Sequence, residues 1–282
     1  HVFDVISSNR YPKGHPYRWS PIGSLEDLQA STLDDVKEFF KRWYVPNNVT
    51  LVISGDCDKA QAKAWDKKYF NEIPRGLEVK PMAAQPTHLT ATKQFYHEDN
   101  FAQVPQLSQV WPTVEEFHPD SYAIDVLIKL LVDGKDTPLT HELVENQKLT
   151  SNVAMFDYRS ELAGELFMMI RAFDKVDLDS VQQAINTAFN RFETEKFTDD
   201  DLNRIKAGLE TQFYRNLSSV VGKGTKLADY NLMADDPDLI NKEIDLLRNV
   251  SADDVWRVYN QYVKDKHFIS TSFVPKGQKA LA

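Results

Sequence analysis

The sequence predicts an α+β chain, with helices packed on one face of a largely antiparallel sheet. Three observations carry that prediction. Helical and strand periodicities follow one another in the order strands, helices, strands, helices, strand. The 282 residues are 42% hydrophobic and 27% charged, enough apolar surface for a sizeable core and too ordinary a balance for disorder. A helix–strand pair that starts at Thr32 returns at an offset of 219 residues, which marks a duplicated unit.

The first copy opens at Thr32-Leu-Asp-Asp-Val36. Thr32 is a good N-cap, and Asp34 and Asp35 complement the helix dipole in the first turn. Val36, Phe39, Phe40 and Trp43 form an apolar stripe, and Pro46 and Asn47 stop the helix. Val49 to Ile53 reads as a buried strand closed by Gly55-Asp56. The second copy opens at Ser251-Ala-Asp-Asp-Val255, with Val255, Val258, Tyr259 and Tyr262 as its stripe. Its strand is His267 to Val274, closed by Pro275 and Gly277. The repeating unit is then about 220 residues long, and its second copy runs from about residue 80 to the end. The expected division is a truncated first domain over 1–76, a proline-bearing linker over 77–91, and a complete second domain over 92–282. The start at His1 has no Met, basic n-region or apolar h-region; it reads as a matured protein with its leader removed or as a piece of something longer, and the repeat favours the second.

Within the second copy, Thr92 to His97 and Gln103 to Trp111 read as strands. Asp120 caps a helix through Ile124, Leu127 and Leu131, and Gly134 breaks it. Pro138 to Gln147 reads as another helix. Val153 to Tyr158 and Glu165 to Phe173 read as an antiparallel pair joined around Ala163-Gly164. Val176 to Lys196 is amphipathic, with Val181, Ile185, Ala188, Phe189 and Phe192 on one face. Thr198 caps a long helix through Leu202, Ile205, Leu209 and Phe213. Val220 to Gly224 reads as an interruption, followed by a helix from Thr225 to about Met233 and another over Asp238 to Leu247.

Charge and composition exclude several functions. The net charge is −9, without a long basic run, so the chain repels a phosphate backbone. No run approaches the 18 or so apolar residues of a spanning helix. One cysteine, Cys57, excludes an internal disulfide and reads as an inert buried thiol after a strand.

No motif selects an active site. The histidines are 1, 15, 88, 97, 118, 141 and 267, and neither His-Glu-x-x-His nor its inverse occurs. His141-Glu142-Leu-Val-Glu145 has the right spacing, but Glu145 replaces the second histidine. A solvated helix face is the more ordinary reading of it, and a hydrolase centred on His141 the sharper one. Val221-Gly-Lys-Gly-Thr225 fails the phosphate-loop pattern and reads as a helix junction. The acidic clusters at 115–116, 199–201 and 235–236 read as caps and turns, and Ser160 to Gly164 does not fit a nucleophile elbow.

The first 76 residues carry a denser signal. Tyr11-Pro-Lys-Gly-His-Pro-Tyr17, Trp19, Pro21-Ile-Gly-Ser24, Glu26-Asp-Leu28, Thr32 to Phe39 and Tyr44 to Asp56 resemble the M16 zinc peptidases, the pitrilysin, insulinase and processing-peptidase group. Ala64, Lys68-Tyr-Phe70 and Ile73-Pro-Arg-Gly76 continue the likeness, and it persists more weakly through Leu139 to Leu149 and Glu161 to Gly164.

The resemblance implies M16-type (LuxS/metallohydrolase-like) αβ domains, two similar ones per half. It implies zinc in the parent protein, held by an inverted His-x-x-Glu-His motif and a further Glu, all upstream of Tyr11. In such a parent a zinc-polarised water, deprotonated by the motif's Glu, attacks the peptide carbonyl. This chain would then hold no catalytic or metal residue and bind no zinc. It would form part of a substrate chamber for peptides or unfolded proteins. Expected partners are the upstream zinc-bearing part, a second M16 half or subunit, and other copies of this chain. Partner halves often carry an Arg and a Tyr seven residues apart; Val144 and Ser151 stand there instead, which suits a zinc-carrying half or an inactive paralogue. The alternative function is an inactive structural or peptide-binding subunit. Periplasm and cytoplasm are both compatible.

Overall fold

Capping residues set most helix starts in the computed structural model, which describes residues 2–282. The chain opens with α1 (Val2–Arg10), α2 (Leu25–Ala30), α3 (Leu33–Trp43) and α4 (Lys59–Phe70). Strands β1 (Lys93–Asp99) and β2 (Gln106–Thr113) follow, then α5 (Ser121–Val132) and α6 (Pro138–Thr140). The helix α6 runs on as a π-helical turn, His141–Asn146. Next come β3 (Ala154–Arg159), β4 (Gly164–Arg171), α7 (Leu178–Glu195), α8 (Asp199–Asn216) and α9 (Val220–Met233). The chain ends with α10 (Glu243–Arg248), α11 (Ala252–Val258), a second π-helical turn (Tyr259–Val263) and β5 (Ile269–Pro275). The side chains of Ser24, Thr32, Asp58, Asp177, Ser219 and Ser251 each accept the backbone N–H three residues on. Each satisfies a donor that the first helical turn leaves orphaned.

The chain divides into two compact units that interleave in sequence. The first comprises the chain up to Arg18, Ala84–Leu209 and Asp245–Ala282. It holds a five-stranded sheet in the order β1-β5-β2-β4-β3. The β2–β4, β2–β5 and β3–β4 pairs are antiparallel, and β1–β5 is parallel. Successive strand residues face opposite sides. Val110 packs with Ile6 of α1 and Phe167 of β4, whereas Gln109 bonds Gln182 of α7. The helices α1 and α7 therefore lie on opposite faces. The core between sheet and helices is built from residues such as Leu127, Leu131, Leu166, Val181 and Val255, all fully buried.

The second unit comprises Trp19–Ala83 and Glu210–Ile244. Here Val49 to Ile53 departs from the strand expected of it. Residues 49–54 belong to no strand and pair with none among the described residues, and Val49, Leu51 and Ile53 are exposed. A strand needs a ladder partner for its backbone groups. This one instead meets α9 through side chains: the Ser54 hydroxyl donates to Val220 O (2.9 Å) and Asn231 donates to Thr50 (2.9 Å).

Two helix boundaries also differ from expectation. The break lies at 217–219, and Val220 to Gly224 forms the first turns of α9 rather than an interruption. Both glycines fit because backbone or side chain approaches closely: a Cβ on Gly222 would meet Asn216 O at 1.9 Å, and one on Gly224 would meet Ser54 at 3.2 Å. Asp238 to Leu247 is not one helix but a 3-10 turn, Pro237–Asn241, followed by α10.

Candidate functional site

The residues that stand out in the sequence do not converge. His141 opens the π-helical turn, where bonds run i to i+5, as from Gln147 N–H to Glu142 O (3.0 Å). His141 and Glu145 therefore do not share the one-turn geometry of an ordinary α-helix. Glu142 is buried and accepts from Gln147 (2.5 Å) and Asn146 (3.1 Å). Those bonds hold its carboxyl below the usual range. Glu145 is exposed. Cys57 is exposed, not buried, because the segment before it is a surface coil rather than a core strand. Residues 160–163 turn between β3 and β4, and a Cβ on Gly164 would strike Val114 O at 1.9 Å. Asp201 caps α8 with Thr198, and Asp236 caps the 3-10 turn after it. His97 packs edge-on to Phe273, and His1 lies outside the described residues.

The Tyr11–Tyr17 segment is a buttress. Tyr11 and His15 are buried and stacked, ring centroids 4.4 Å apart, and Tyr17 meets both edge-on. His15 Nδ1 accepts from Tyr17 N–H, so Nε2–H donates to Gln85 O (3.2 Å). The Tyr17 hydroxyl accepts the Leu162 N–H (3.0 Å). Beside it Arg10, fully buried, pairs with Glu165 of β4 at 3.1 Å and donates to Gly164 O (2.7 Å) and to Thr87. Burial raises the Tyr11 hydroxyl and the Glu165 carboxyl above their ordinary ranges. The polar tips of Arg10, His15 and Tyr17 are spent on backbone or on a buried counter-charge, which is a structural role.

A second ionic cluster joins the other sheet face to α5. Arg159 reaches Asp125 (3.0 Å), Asp157 (3.3 Å) and Glu116 (3.5 Å) and donates to Ser121 O. The Thr113 hydroxyl donates to Asp157 (2.7 Å). Burial pushes Asp157 up to about 6 in spite of Arg159.

Cavities open at several places in this unit, two of them with chemically distinctive linings. One, of about 750 Å³, is lined by His88, His118, His267 and Tyr262 among others. Of these, Tyr262 donates to Asp120 (2.6 Å), which also pairs with Arg257 (2.7 Å). The other, of about 350 Å³, lies between β2, α7 and residues 259–268. It is lined by carboxamides (Gln109, Gln182, Asn186, Asn190) and aromatics, Trp111 foremost. Sequence reasoning missed it, although the 182, 186, 190 spacing on a helix was readable. Among the described residues no three His, Cys, Asp or Glu side chains are grouped to hold a metal ion. The zinc implied by the resemblance has no fitting donor set in them.

Comparison with known proteins gives this geometry a family. Zinc protease PqqE of Helicobacter pylori is 28% identical over 257 residues, covering 89% of this chain and 57% of that protein. The crystal structure of a protease from Helicobacter pylori has the same fold, with TM-score 0.81 at 24% identity, over 93% of this chain and 63% of that one. So does the peptidase M16 inactive domain from Pseudomonas fluorescens, with TM-score 0.82 at 17% identity, over 98% and 64%. The chain spans less than two thirds of the length of each of these relatives. The family model described as the peptidase M16 inactive domain matches residues 30–209, well over half of the sequence, and the chain belongs to that family.

Proposed function

We propose that this chain is the non-catalytic C-terminal portion of a zinc-dependent M16 metalloendopeptidase, and that it forms part of the wall of the substrate chamber. The observation that carries this is the inactive-domain match, which runs through both compact units, together with a relative named as a zinc protease. In this reading residues 1–76 end a first M16 domain, 77–91 link, and 92–282 form a second. Zinc ligands and general base come from the upstream part, and the apolar stripe of α3 packs against that part. The substrates are peptides or unfolded proteins. The chain alone should bind no zinc tightly and cleave no fluorogenic peptide, and a longer chain with its upstream part should do both. Stoichiometric zinc by mass spectrometry, with turnover by the isolated chain, overturns the reading.

A further inference from the structure

We propose that the cavity between β2, α7 and residues 259–268 is a groove for an extended, uncharged peptide segment recognised through its backbone. The site is independent of the catalytic reading above, since it needs neither zinc nor cleavage.

An unsatisfied donor is the first observation. Trp111 lines the cavity, is 2% exposed, and its indole N–H has no hydrogen-bond partner. Buried polar groups are almost always paired, and this N–H, covered in the free protein, gains a partner when a carbonyl enters the cavity and parts the side chains over it.

The second observation is the carboxamide ladder. Gln182, Asn186 and Asn190 stand four residues apart along α7. At about 1.5 Å rise per residue they are about 6 Å apart. Alternate residues of an extended peptide are about 6.6 Å apart, so successive rungs meet successive peptide units on one side of the strand. The ladder is oriented: Gln109 donates to Gln182 (2.5 Å), and Gln182 donates to Asn186 (3.0 Å). A carboxamide carries two donors and two acceptor lone pairs. The relay uses one of each on Gln182, which keeps one of each to match a peptide C=O and N–H.

Third, the walls suit alternating side chains and not a charge. Phe189, Tyr259 and Phe268 join Trp111 in lining the cavity, and the Trp111 and Phe268 rings lie 5.0 Å apart. The rim cation Lys264 is held by Glu193 at 2.6 Å, and Glu193 also accepts from Tyr259 (2.8 Å). Lys266 and Asp265 at the rim oppose each other in charge. The lining holds two cations, Lys264 and Lys266, and two anions, Glu193 and Asp265, so it carries no net charge to attract an anion. The volume, about 350 Å³, is at the lower end of the range for ligand pockets.

The test is titration of the full chain, followed by ¹H–¹⁵N spectra of the indole groups. The probe is an acetylated, amidated octapeptide of alternating Ser and Val; a second carries N-methyl groups at every other amide. Trp111→Phe deletes one of the five tryptophan indole signals and so assigns it. The Trp111 indole signal should move downfield with the plain peptide. The N-methylated peptide should bind at least ten-fold more weakly. Asn186→Ala with Asn190→Ala, both at exposed positions that the fold does not depend on, should also weaken binding at least ten-fold. The proposal is overturned if the Trp111 signal does not move at millimolar peptide, or if the N-methylated peptide or the double variant binds equally well. It is also overturned if maltohexaose moves that signal and the peptide does not. None of these readings involves cleavage, so failure of the peptidase assignment leaves the test intact.

Discussion

The helices capped by Thr32 and Ser251 start alike and end in opposite surroundings. Each has a complete capping box, with the hydroxyl accepting from the third residue and that residue's Asp accepting the cap N–H, at 2.8 Å for Thr32 and 3.0 Å for Ser251. Yet Val36 is 48% exposed and its counterpart Val255 is 0% exposed. Phe39 and Phe40 are likewise exposed, and Val258 and Tyr259 are buried. The strand after the second helix lies inside a sheet, between β1 and β2; the segment after the first has no ladder. Local sequence builds the same helix start twice, and long-range pairing decides which copy becomes core.

Four measurements would break or sharpen that contrast. The largest effect should come from Val255→Asp, which buries an unpaired charge and should remove more than about 4 kcal/mol by urea denaturation. Val36→Asp should change stability by less than about 0.5 kcal/mol. Comparable losses would mean that the α3 stripe is core in solution.

Buried and surface ion pairs should separate in the same way. Arg10→Ala leaves Glu165 buried and uncompensated, and should cost about 3–5 kcal/mol. Lys37→Ala, at a pair whose side chains are 66% and 88% exposed, should cost less than about 0.5 kcal/mol. A mild Arg10 variant would show that the Tyr11–Tyr17 buttress does not hold the sheet.

Asp157 should give the first unit a pH dependence. Its carboxyl rises from 3.8 to about 6 on folding, chiefly through burial. The folded protein thus holds this proton more tightly than the unfolded chain does. The contribution is complete below about pH 4 and is lost as the pH rises through about 6. Two units correspond to about 3 kcal/mol at ~1.36 kcal/mol per unit. Asp157→Asn, which can still accept from Thr113, should therefore lose less stability than the wild type between pH 4 and pH 7. Parallel stability curves would remove the buried carboxylate from the account.

The smallest and most symmetric effect should come from the caps. Thr32→Ala and Ser251→Ala should each cost about 1 kcal/mol, because the box is exposed and local in both copies. Unequal costs would show that tertiary packing reaches the helix starts.

How much was legible can be traced through particular residues. Strand and helix positions from residue 92 onward followed from periodicity and punctuation, as at Gly134 and Thr198; Asp120 precedes α5 but makes no side-chain cap, its carboxylate being taken by Tyr262 and Arg257. The M16 likeness of Tyr11 to Tyr17 was visible as a pattern, but its physical job was not. Nothing in the spacing says that Arg10 meets Glu165 or that Tyr17 meets Leu162, contacts closed over about 150 residues. The π-helical turn at His141 escaped because a single turn leaves no period to read. The groove at Trp111 escaped because it joins β2, α7 and residues 259–268, three segments far apart in sequence.

By itself the sequence determined what is local: the caps, the helix stripes and the Gly164 turn. Those features rest on backbone sterics and hydrogen bonds within a few residues. Only the tertiary structure decided that β5 enters between β1 and β2, that Val49 to Ile53 stays unpaired, and that Trp111 lines a cavity with its N–H unmet. Each depends on a partner distant along the chain, and a pattern on one segment does not name its partner.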